Sequence, residues 1–424
     1  MTPRTIAEKI LSTKSGRLAR AGDVVVCDID LVLGTDASAP MAIAYFTQTG
    51  GTRVHDPSRV IFALDHYTPS SVSDKTAGFH AQVREFARRQ GVRVHDVGEG
   101  ISHTIAVERG YVRPGQLVIG ADSHTVTCGA LNAFAIGVGS SDLAAAMLTG
   151  QLWLRVPQTI RVVLDGARSA NVAAKDIALA MVAALGTDGA DYHALEIGGP
   201  ATNQFTLDDR LVLSNLAVEA GAKAALWEVD DVLRAGLRAR GIDEIAPVVA
   251  DSDARYVREL VLDLSSLTPR VALPHSPGNV VPIDIAPDTR IHMVYLGTCT
   301  GGRASDYHEA LAVLERGGGQ LADGVQLVVT PASREIERQL AADGTLDKLA
   351  RMGAVITSPG CGACCGTSGV IPGDGMNVIS TANRNFKARM GNATASIYLA
   401  SPAACAAAAL TGRITDPRSV RAAS

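Results

Sequence analysis

Three cysteines in the last third of the chain have a spacing that could bind a metal. Cys299 follows one apolar run that predicts a buried strand, and Cys361 and Cys364 form a Cys-x-x-Cys pair after another. A structural zinc site needs four protein ligands, one more than these residues offer. An iron–sulfur cluster tolerates three cysteines and then keeps an open iron, which is a Lewis acid. On the motif alone, small buried side chains or a redox pair of thiols remain open as well.

Histidines and carboxylates recur at the ends of other predicted strands. They are Asp65 and His66 after the run 59–64, His103 after Gly98-Glu-Gly, and Asp122, Ser123 and His124 after the run 116–120. Imidazoles paired with carboxylates can titrate near neutral pH, as general acids and bases require. A single histidine of this kind is more often a solvated loop residue, but three in the same topological position favour proton transfer.

Two further groups of polar residues could bind or orient a substrate. Asn383, Arg384 and Arg389 lie in a loop after a predicted strand, where arginines can form bidentate contacts with carboxylates. Asn215 and Glu219 lie one helical turn apart, so they share a face and could orient a histidine. Taken alone, the first group is better explained as a solvated basic turn and the second as a surface pair.

These residues need a scaffold, and the sequence predicts one of alternating strands and helices. The predicted strands are 24–29, 59–64, 116–120, 160–166, 291–297, 325–331, 354–360 and 376–381. Segments with helical periodicity lie between several of them, at 173–185, 208–222, 305–316 and 333–343. Such alternation favours α/β layers with mainly parallel sheets, in which ligands collect at the carboxyl ends of strands. We expect three α/β domains, at 1–166, 167–268 and 269–424.

Composition and charge exclude several classes of protein. The chain has 424 residues, 47% hydrophobic and 19% charged, which supplies a large core and excludes a disordered chain. The net charge is −4 without a Lys/Arg cluster, so we expect no nucleic-acid partner. The seven cysteines are odd in number and form no disulfide framework. Because the N-terminus lacks a signal peptide and no apolar stretch could span a membrane, we expect a cytoplasmic protein without a membrane partner.

Taken together, the motifs resemble those of the aconitase superfamily, and most closely the large subunits of its two-subunit isopropylmalate isomerase and homoaconitase group. The matching segments run through nearly the whole chain: Asp65-His66, GISH at 100–103, GADSHTVTCGALNAFAIGVGSSDLA at 120–144, SNLAVEAGAK at 214–223, PHSPGNVVPI at 274–283, GTCTGGR at 297–303, PGCGACCG at 359–366, STANRNFKARMG at 380–391 and YLASPAA at 398–404. So many motifs in the same order make chance implausible. The resemblance implies three-layer α/β domains arranged around a central cluster.

The resemblance also implies a cofactor and a reaction. One [4Fe-4S] cluster per subunit would be held by Cys299, Cys361 and Cys364, with one iron free of cysteine and open to the substrate. The family's reaction removes water from a small hydroxy acid and adds it back, often at the neighbouring carbon. By motif position the implied roles are His66 with Asp65 at the leaving hydroxyl, His103 with Glu219 and Asp122 with His124 at the bound water, Ser123 and Asn215 lining the pocket, and Asn383, Arg384 and Arg389 at the substrate carboxylates.

A partner chain is implied as well. The sequence ends shortly after Arg413, so we expect the swivelling fourth domain of single-chain aconitases on a separate small subunit. In the family that domain carries the catalytic serine and further substrate-reading arginines, and this chain alone would then be nearly inactive. The first expectation for the substrate is 3-isopropylmalate, which would place the protein in leucine biosynthesis. Homocitrate, 2,3-dimethylmalate and a methylcitrate are the alternatives.

Four positions depart from the usual family pattern. Gly301 stands where asparagine is common, Ala363 where proline is usual, Cys365 where leucine is usual and Ala388 where glycine is usual. None of them removes a cluster ligand, but all are expected near the substrate pocket. Two other classes of function stay open at this point: a cluster-less, noncatalytic RNA-binding relative, and a zinc protein using Cys361, Cys364 and a third thiolate.

Overall fold

The protein is described by a computed structural model that covers residues 3–68, 73–368 and 370–422. Its helices are α1 Ile6–Ser15, α2 Ala39–Gln48, α3 Asp74–Gln90, α4 Ser102–Glu108, α5 Ser140–Thr149, α6 Ala174–Leu185, α7 Leu207–Leu216, α8 Asp231–Arg238, α9 Thr298–Gly301, α10 Ala304–Arg316, α11 Arg334–Ala342, α12 Thr345–Arg351 and α13 Pro402–Thr411. Its strands are β1 Val24–Asp28, β2 Leu31–Thr35, β3 Val60–Ala63, β4 Arg93–His95, β5 Leu117–Gly120, β6 Phe134–Gly137, β7 Gln151–Arg155, β8 Thr159–Asp165, β9 Ala194–Gly198, β10 Ala224–Trp227, β11 Arg258–Asp263, β12 Arg270–Ala272, β13 Val280–Pro282, β14 Met293–Gly297, β15 Gln326–Thr330, β16 Val355–Ile356, β17 Asn377–Ser380 and β18 Ser396–Ala400.

Three larger sheets organise the chain. The first has the order β4-β3-β2-β5-β6 and the second the order β10-β9-β8-β11, and both are parallel throughout. The third has the order β13-β12-β18-β17-β14-β15-β16, in which β12 alone runs antiparallel to its neighbours. A separate antiparallel ribbon joins β1 and β7. The prediction of α/β layers with mainly parallel sheets is therefore confirmed.

One strand within the range 1–166 pairs with strands that lie beyond it. The apolar run at 160–166 was placed at the end of the first domain, but β8 pairs in parallel with β9 and β11 of the second sheet. The second sheet therefore begins before the predicted boundary at residue 166. The reason is that sheet membership depends on partners far along the chain, which an apolar run does not specify. The division into three domains itself stays a prediction.

The central strands are apolar because both faces of a parallel sheet are covered by other elements. Every residue of β3, β5 and β14 is buried, and so are Val378, Ile379 and Ser380 of β17. Strands of this kind read as continuous apolar runs, which is why the sequence revealed them. The polar side chains follow directly after their carboxyl ends, and those ends bring the loops of the first and third sheets together.

Helix α6 connects the second sheet to the third. Almost all of its residues are buried, including Lys175 and Asp176. The Asp176 carboxylate accepts hydrogen bonds from the backbone N–H of Ala173, at 2.9 Å, and of Arg270, at 2.8 Å. Because Arg270 begins β12, this carboxylate fixes the start of the third sheet against the N-terminus of α6.

The N-terminal helix is fixed to the second sheet in a similar way. Glu196 on β9 is fully buried, and it accepts hydrogen bonds from the Ala7 backbone N–H, at 3.1 Å, and from the Tyr256 hydroxyl, at 3.0 Å. Burial raises the pKa of Glu196 to about 7. None of the helices in the described ranges is both long and apolar enough to cross a membrane.

Candidate active site and metal centre

A cavity of about 280 Å³ lies where the loops of the first and third sheets meet. Most of the residues singled out in the sequence line it: His66, His103, Asp122, Ser123, His124, Cys299, Cys361, Cys364, Asn383, Arg384 and Arg389. Three others lie behind this lining, and each contacts a residue in it: Asp65, Asn215 and Glu219. Cysteines and arginines come from the third sheet, whereas histidines and aspartates come from the first.

The sulfur atoms on the cysteine side receive hydrogen bonds from amide and guanidinium groups. The side-chain Nδ2 groups of Asn215 and Asn383 donate to Cys299 Sγ at 3.0 and 3.3 Å. Arg389 Nη2 donates to Cys364 Sγ at 3.5 Å. Asn215 was expected to line the pocket, but it is fully buried and acts instead as a donor to Cys299. Donors of this kind suit sulfur atoms that carry negative charge.

The donor set fits a cluster better than a single metal ion. Zinc binds thiolates at about 2.3 Å, so thiolates on one zinc ion lie within about 4.6 Å of each other. Within the described residues, the one group of three ligand atoms closer than 4.8 Å is that of Asp65, His66 and Cys361. The three predicted cysteines do not form such a group, although they line one cavity. Three separated thiols, two of them with N–H donors, suit a larger, anionic, thiolate-bound group.

Burial keeps two of these thiols, those of Cys299 and Cys361, protonated when no metal is bound. It raises the pKa of the Cys299 thiol to about 12, with a further contribution from the charge of Cys364. It also raises the pKa of Cys361 well above its usual value. Metal binding must therefore displace protons, as it does at thiolate sites in general.

On the opposite side, His66 is held by two carboxylates. Its Nδ1 lies 2.7 Å from Asp65 Oδ1, and its backbone N–H donates to Asp36 Oδ1 at 2.9 Å. Burial raises the pKa of Asp65 to about 6, although the neighbouring histidine acts in the opposite direction. Because Nδ1 is taken by Asp65, the Nε2 atom is the one free to exchange a proton, and it lies 3.7 Å from Asp122 Oδ2.

The second histidine–carboxylate pair differs from the one expected. Glu219 was assigned to His103, but Glu219 Oε1 lies 2.9 Å from His124 Nε2 and 2.8 Å from Arg384 Nε. Burial alone would raise the pKa of Glu219, but its contacts with His124 and Arg384 hold it below its usual value. The expected Asp122–His124 contact is present mainly through the backbone, since the His124 N–H donates to Asp122 Oδ1 at 2.7 Å.

His103 differs from the other two histidines because neither ring nitrogen has a partner within the described residues. It is almost fully buried, and burial lowers its pKa to about 4. Among the charged neighbours of His103, Asp122 has the largest effect on its pKa. Burial would raise the pKa of Asp122 itself, but His124 and His103 hold that pKa well below its usual value. His103 also lines a second cavity, of about 640 Å³.

Two of the departures from the family pattern have a structural explanation. A Cβ atom at Gly301 would lie 2.2 Å from the Cβ of Thr381, so this chain has no room for the family's asparagine. Ala388 has φ +66°, in the left-handed region that favours glycine, which explains why glycine is usual there. Cys365 lines the cavity and contacts the Thr367 hydroxyl at 2.8 Å. Ala363 is buried, and nothing in the structure explains its substitution for proline.

Sequence reasoning missed two residues that shape the site. Asp36 follows β2 and accepts hydrogen bonds from the backbone of His66 and Tyr67 and from His80 Nε2. Its position after an apolar run, Leu-Val-Leu-Gly-Thr, was the signal that could have revealed it. Lys175 is buried in α6 and reaches the loops of the third sheet. A lone lysine in an apolar helix carries no comparable signal, because lysine usually lies on the solvent side.

Comparison with known proteins gives a consistent result. A model of the aconitase family (aconitate hydratase) matches residues 8–291 and 285–412. The chain is 44% identical to the 3-isopropylmalate dehydratase large subunit 1 of Methanopyrus kandleri, over 98% of this chain and 99% of that protein. It is 45% identical to the large subunit 2 of the same name from Archaeoglobus fulgidus, over 98% and 99%. With the corresponding large subunit 1 from Thermotoga maritima the values are 44%, 98% and 99%.

A solved structure shares the fold. It is a crystal structure of aconitase X from Thermococcus kodakaraensis in its holo form, with a TM-score of 0.51 and 15% sequence identity. The match covers 89% of this chain and 88% of that one. At this identity the likeness shows the fold alone. Any conclusion about the chemistry depends on the residues that line the cavity.

Proposed function

Because the chain belongs to the aconitase family, we propose that it is the cluster-bearing large subunit of a hydro-lyase that interconverts 2-isopropylmalate and 3-isopropylmalate. One observation carries this proposal: three cysteines, two of them with N–H donors to sulfur, form one side of a cavity whose other side includes two histidines paired with carboxylates. The choice of substrate rests on relatives of 44–45% identity whose names specify 3-isopropylmalate dehydratase. Such an enzyme would serve leucine biosynthesis.

Cys299, Cys361 and Cys364 would hold one [4Fe-4S] cluster per subunit. When bound, the cluster supplies an iron without a cysteine ligand, which acts as a Lewis acid toward the substrate. Asn215, Asn383 and Arg389 support this assignment, because their N–H groups already point at two of the three sulfur atoms. Backbone and side-chain donors of this kind orient ligands and adjust their charge.

The histidine side would handle the protons of the dehydration. Asp65 fixes the His66 ring through Nδ1, so Nε2 can give a proton to the leaving hydroxyl and recover it during rehydration. His124 is fixed through its other ring nitrogen, because Glu219 contacts Nε2. Asp122 stays ionised and lies between His66 and His124, where it can orient a water molecule or a hydroxyl group.

Two arginines would bind the substrate's carboxylates. Arg389 is largely buried, and its Nε–H has no acceptor within the described residues. A buried guanidinium donor without a partner is rare, and a carboxylate would satisfy it. Arg384 donates through Nε to Glu219, which leaves its terminal amino groups for a second carboxylate. Asn383 would stand beside both of them, and Ser123 would line the pocket opposite.

The proposed partner is a small subunit. The relatives named above are large subunits, a name that implies a smaller partner. We place the swivelling domain on that partner, with the serine that removes a proton from carbon and the remaining substrate-reading arginines. This chain alone would then hold the cluster but turn over very slowly.

The experiment that tests the proposal combines cluster analysis with a substrate panel. The chain is reconstituted anaerobically, assayed for iron, sulfide and zinc, and mixed with the small subunit of a relative. We expect about four irons and four sulfides per chain, as a three-cysteine cubane requires, and turnover of 3-isopropylmalate that depends on the small subunit. Stoichiometric zinc, or a chain without metal, would overturn the proposal. Preference for homocitrate, 2,3-dimethylmalate or a methylcitrate would keep the reaction and correct the substrate.

A further inference from the structure

Lys175 is a buried cation without a counter-ion. It lies in the first turn of α6, 2% exposed, and its Nζ donates to the carbonyl oxygens of Thr381, at 3.0 Å, and Ala382, at 2.6 Å, and to the Thr300 hydroxyl, at 3.3 Å. An ammonium group has three N–H donors, so its hydrogen bonds are complete. All three acceptors are neutral, and within the described residues no carboxylate forms an ion pair with it.

Two loops meet at this ammonium group. Thr300 is the residue after Cys299, whereas Thr381 and Ala382 lead directly to Asn383 and Arg384. Thr300 Oγ1 also donates to Thr381 O at 2.7 Å, so the lysine reinforces a contact that already joins the loops. Lys175 itself belongs to the second sheet's unit, through α6. A single side chain thus connects three parts of the chain around the cysteine side of the cavity.

Hydrogen bonds do not balance the charge. Burying an ammonium group is strongly unfavourable unless an opposite charge lies near it. Burial lowers the pKa of Lys175 to about 8, and Cys299 and Cys364 are among the groups that would oppose this when ionised, together with Cys405 and Asp306. Cys405 is a buried residue of α13 in the apolar core, and it is no metal ligand in the proposed arrangement. A cluster bound by three thiolates would provide the missing negative charge at this place.

We infer that Lys175 is a positioning residue that supplies the counter-charge to the thiolate-bound cluster and ties the Cys299 loop to the Asn383–Arg389 loop. The inference rests on the proposed function, because it requires a net-negative group at the cysteines. The inference predicts that the charge of Lys175 contributes more to the stability of the loaded chain than to that of the metal-free chain. A residue with a merely structural role would contribute equally to the stability of both chains.

The test compares Lys175→Gln and Lys175→Met with wild type in the loaded and metal-free chains. Glutamine keeps some of the hydrogen bonds without the charge, and methionine keeps the length of the side chain without either. The matched control is Lys348→Gln on α12, an exposed lysine that pairs with Glu315. The readouts are the rise in melting temperature on reconstitution, the rate of iron loss to a chelator and the reduction potential of the cluster.

We expect both variants at residue 175 to lose iron about 10–100-fold faster than wild type, as for other groups that support metal ligands. Their reduction potential should shift to more negative values, because a nearby positive charge favours the added electron. Their gain in melting temperature on reconstitution should be smaller, whereas Lys348→Gln should match wild type in all three readouts.

The outcomes separate the inference from the proposed function. A wild-type chain that takes up no iron and sulfide would overturn both. A loaded wild type together with a Lys175→Gln chain of the same potential, iron loss and gain in melting temperature would overturn the inference alone. If the Lys175→Met variant folds poorly, the Lys175→Gln variant decides the test. Its side chain fills a similar volume and can still donate to the carbonyl oxygen of Ala382.

Discussion

The two sides of the candidate cavity are built in different ways. On the histidine side, His66 and His124 are each locked by a carboxylate at less than 3 Å, 2.7 and 2.9 Å respectively. On the cysteine side, the N–H donors to Cys299 and Cys364 lie at 3.0–3.5 Å, and within the described residues no carboxylate forms an ion pair with the ammonium of Lys175. The difference teaches that the fold alone gives two of the three histidines a carboxylate partner, whereas on the cysteine side a bound anionic group would supply the missing negative charge.

The strongest way to break this comparison is to remove one cysteine. For Cys361→Ser we expect no iron above background and no dehydratase activity, because a hydroxyl does not replace a thiolate ligand. The melting temperature of the metal-free chain should hardly change, since the Cys361 sulfur has only contacts of 3.7 Å and longer with His66. Iron analysis and calorimetry of the metal-free chain check both statements.

The neighbouring cysteine provides the control for that substitution. Cys365 contacts Thr367 and is not an expected ligand, so Cys365→Ser should retain iron and activity. Retained activity in Cys361→Ser, or iron lost equally in both variants, would contradict the ligand assignment.

The next largest effect should come from the histidine side, with the metal unaffected. Glu219→Gln removes the charge that fixes His124 and Arg384, so we expect kcat to fall by about 10²–10⁴-fold, as for a general acid–base group. The iron content should stay at the wild-type value, because Glu219 contacts none of the three cysteines. Iron analysis beside steady-state kinetics measures both, and a variant that loses its cluster would show that the two sides are not separable.

Comparison with a second buried glutamate, Glu196, explains why Glu219 is ionised. Glu196 is also buried, but its hydrogen-bond donors are a backbone N–H and a hydroxyl, and burial raises its pKa to about 7. A raised carboxyl pKa gives stability that is complete below the unfolded value and is lost as the pH rises through the folded value. We therefore expect wild type to lose up to about 1.4 kcal/mol per pH unit from this group between about pH 4.5 and 7.

Glu196→Gln should abolish that part of the slope. The amide can accept from Ala7 and donate to Tyr256, so the native contacts survive without a titrating proton. Denaturant unfolding of both chains at a series of pH values makes the comparison. Parallel stability curves for the two chains would contradict the raised pKa of Glu196.

The smallest expected effect concerns backbone strain on the cysteine side. Ala388, between Arg384 and Arg389 in sequence, has φ +66°, and Thr298, directly before Cys299, has φ +74°. A left-handed conformation is unfavourable for residues with a Cβ, so Ala388→Gly should stabilise the metal-free chain by about 1 kcal/mol. Thermal unfolding measures this change. A destabilised variant would show that the loop does not store strain at this position.

The sequence predicted the strand ends but not the pairs that form between them. Cys299, Asp122 and His66 were placed correctly because continuous apolar runs reveal buried parallel strands, and the loops after such strands converge. The Glu219–His124 pair joins residues 95 positions apart, and the local sequence around His103 offered an equally good partner. The sequence also did not predict which sheet contains β8 or which groups Lys175 contacts. Both depend on how segments that are distant in sequence pack together.

The placement of Asn215 has a consequence for how this site can change over evolutionary time. All three cysteines lie in one stretch of about 66 residues, from 299 to 364, short enough to move between genes as one piece. The amide that donates to Cys299 belongs to Asn215 on α7, a helix that lies far outside this stretch of sequence. A transplanted cysteine segment would carry its ligands into a host without their donor. Under the proposed assignment, the hydrogen bond from Asn215 therefore makes the cysteine site depend on the docking of α7, so the cysteine motif alone would not carry the whole site.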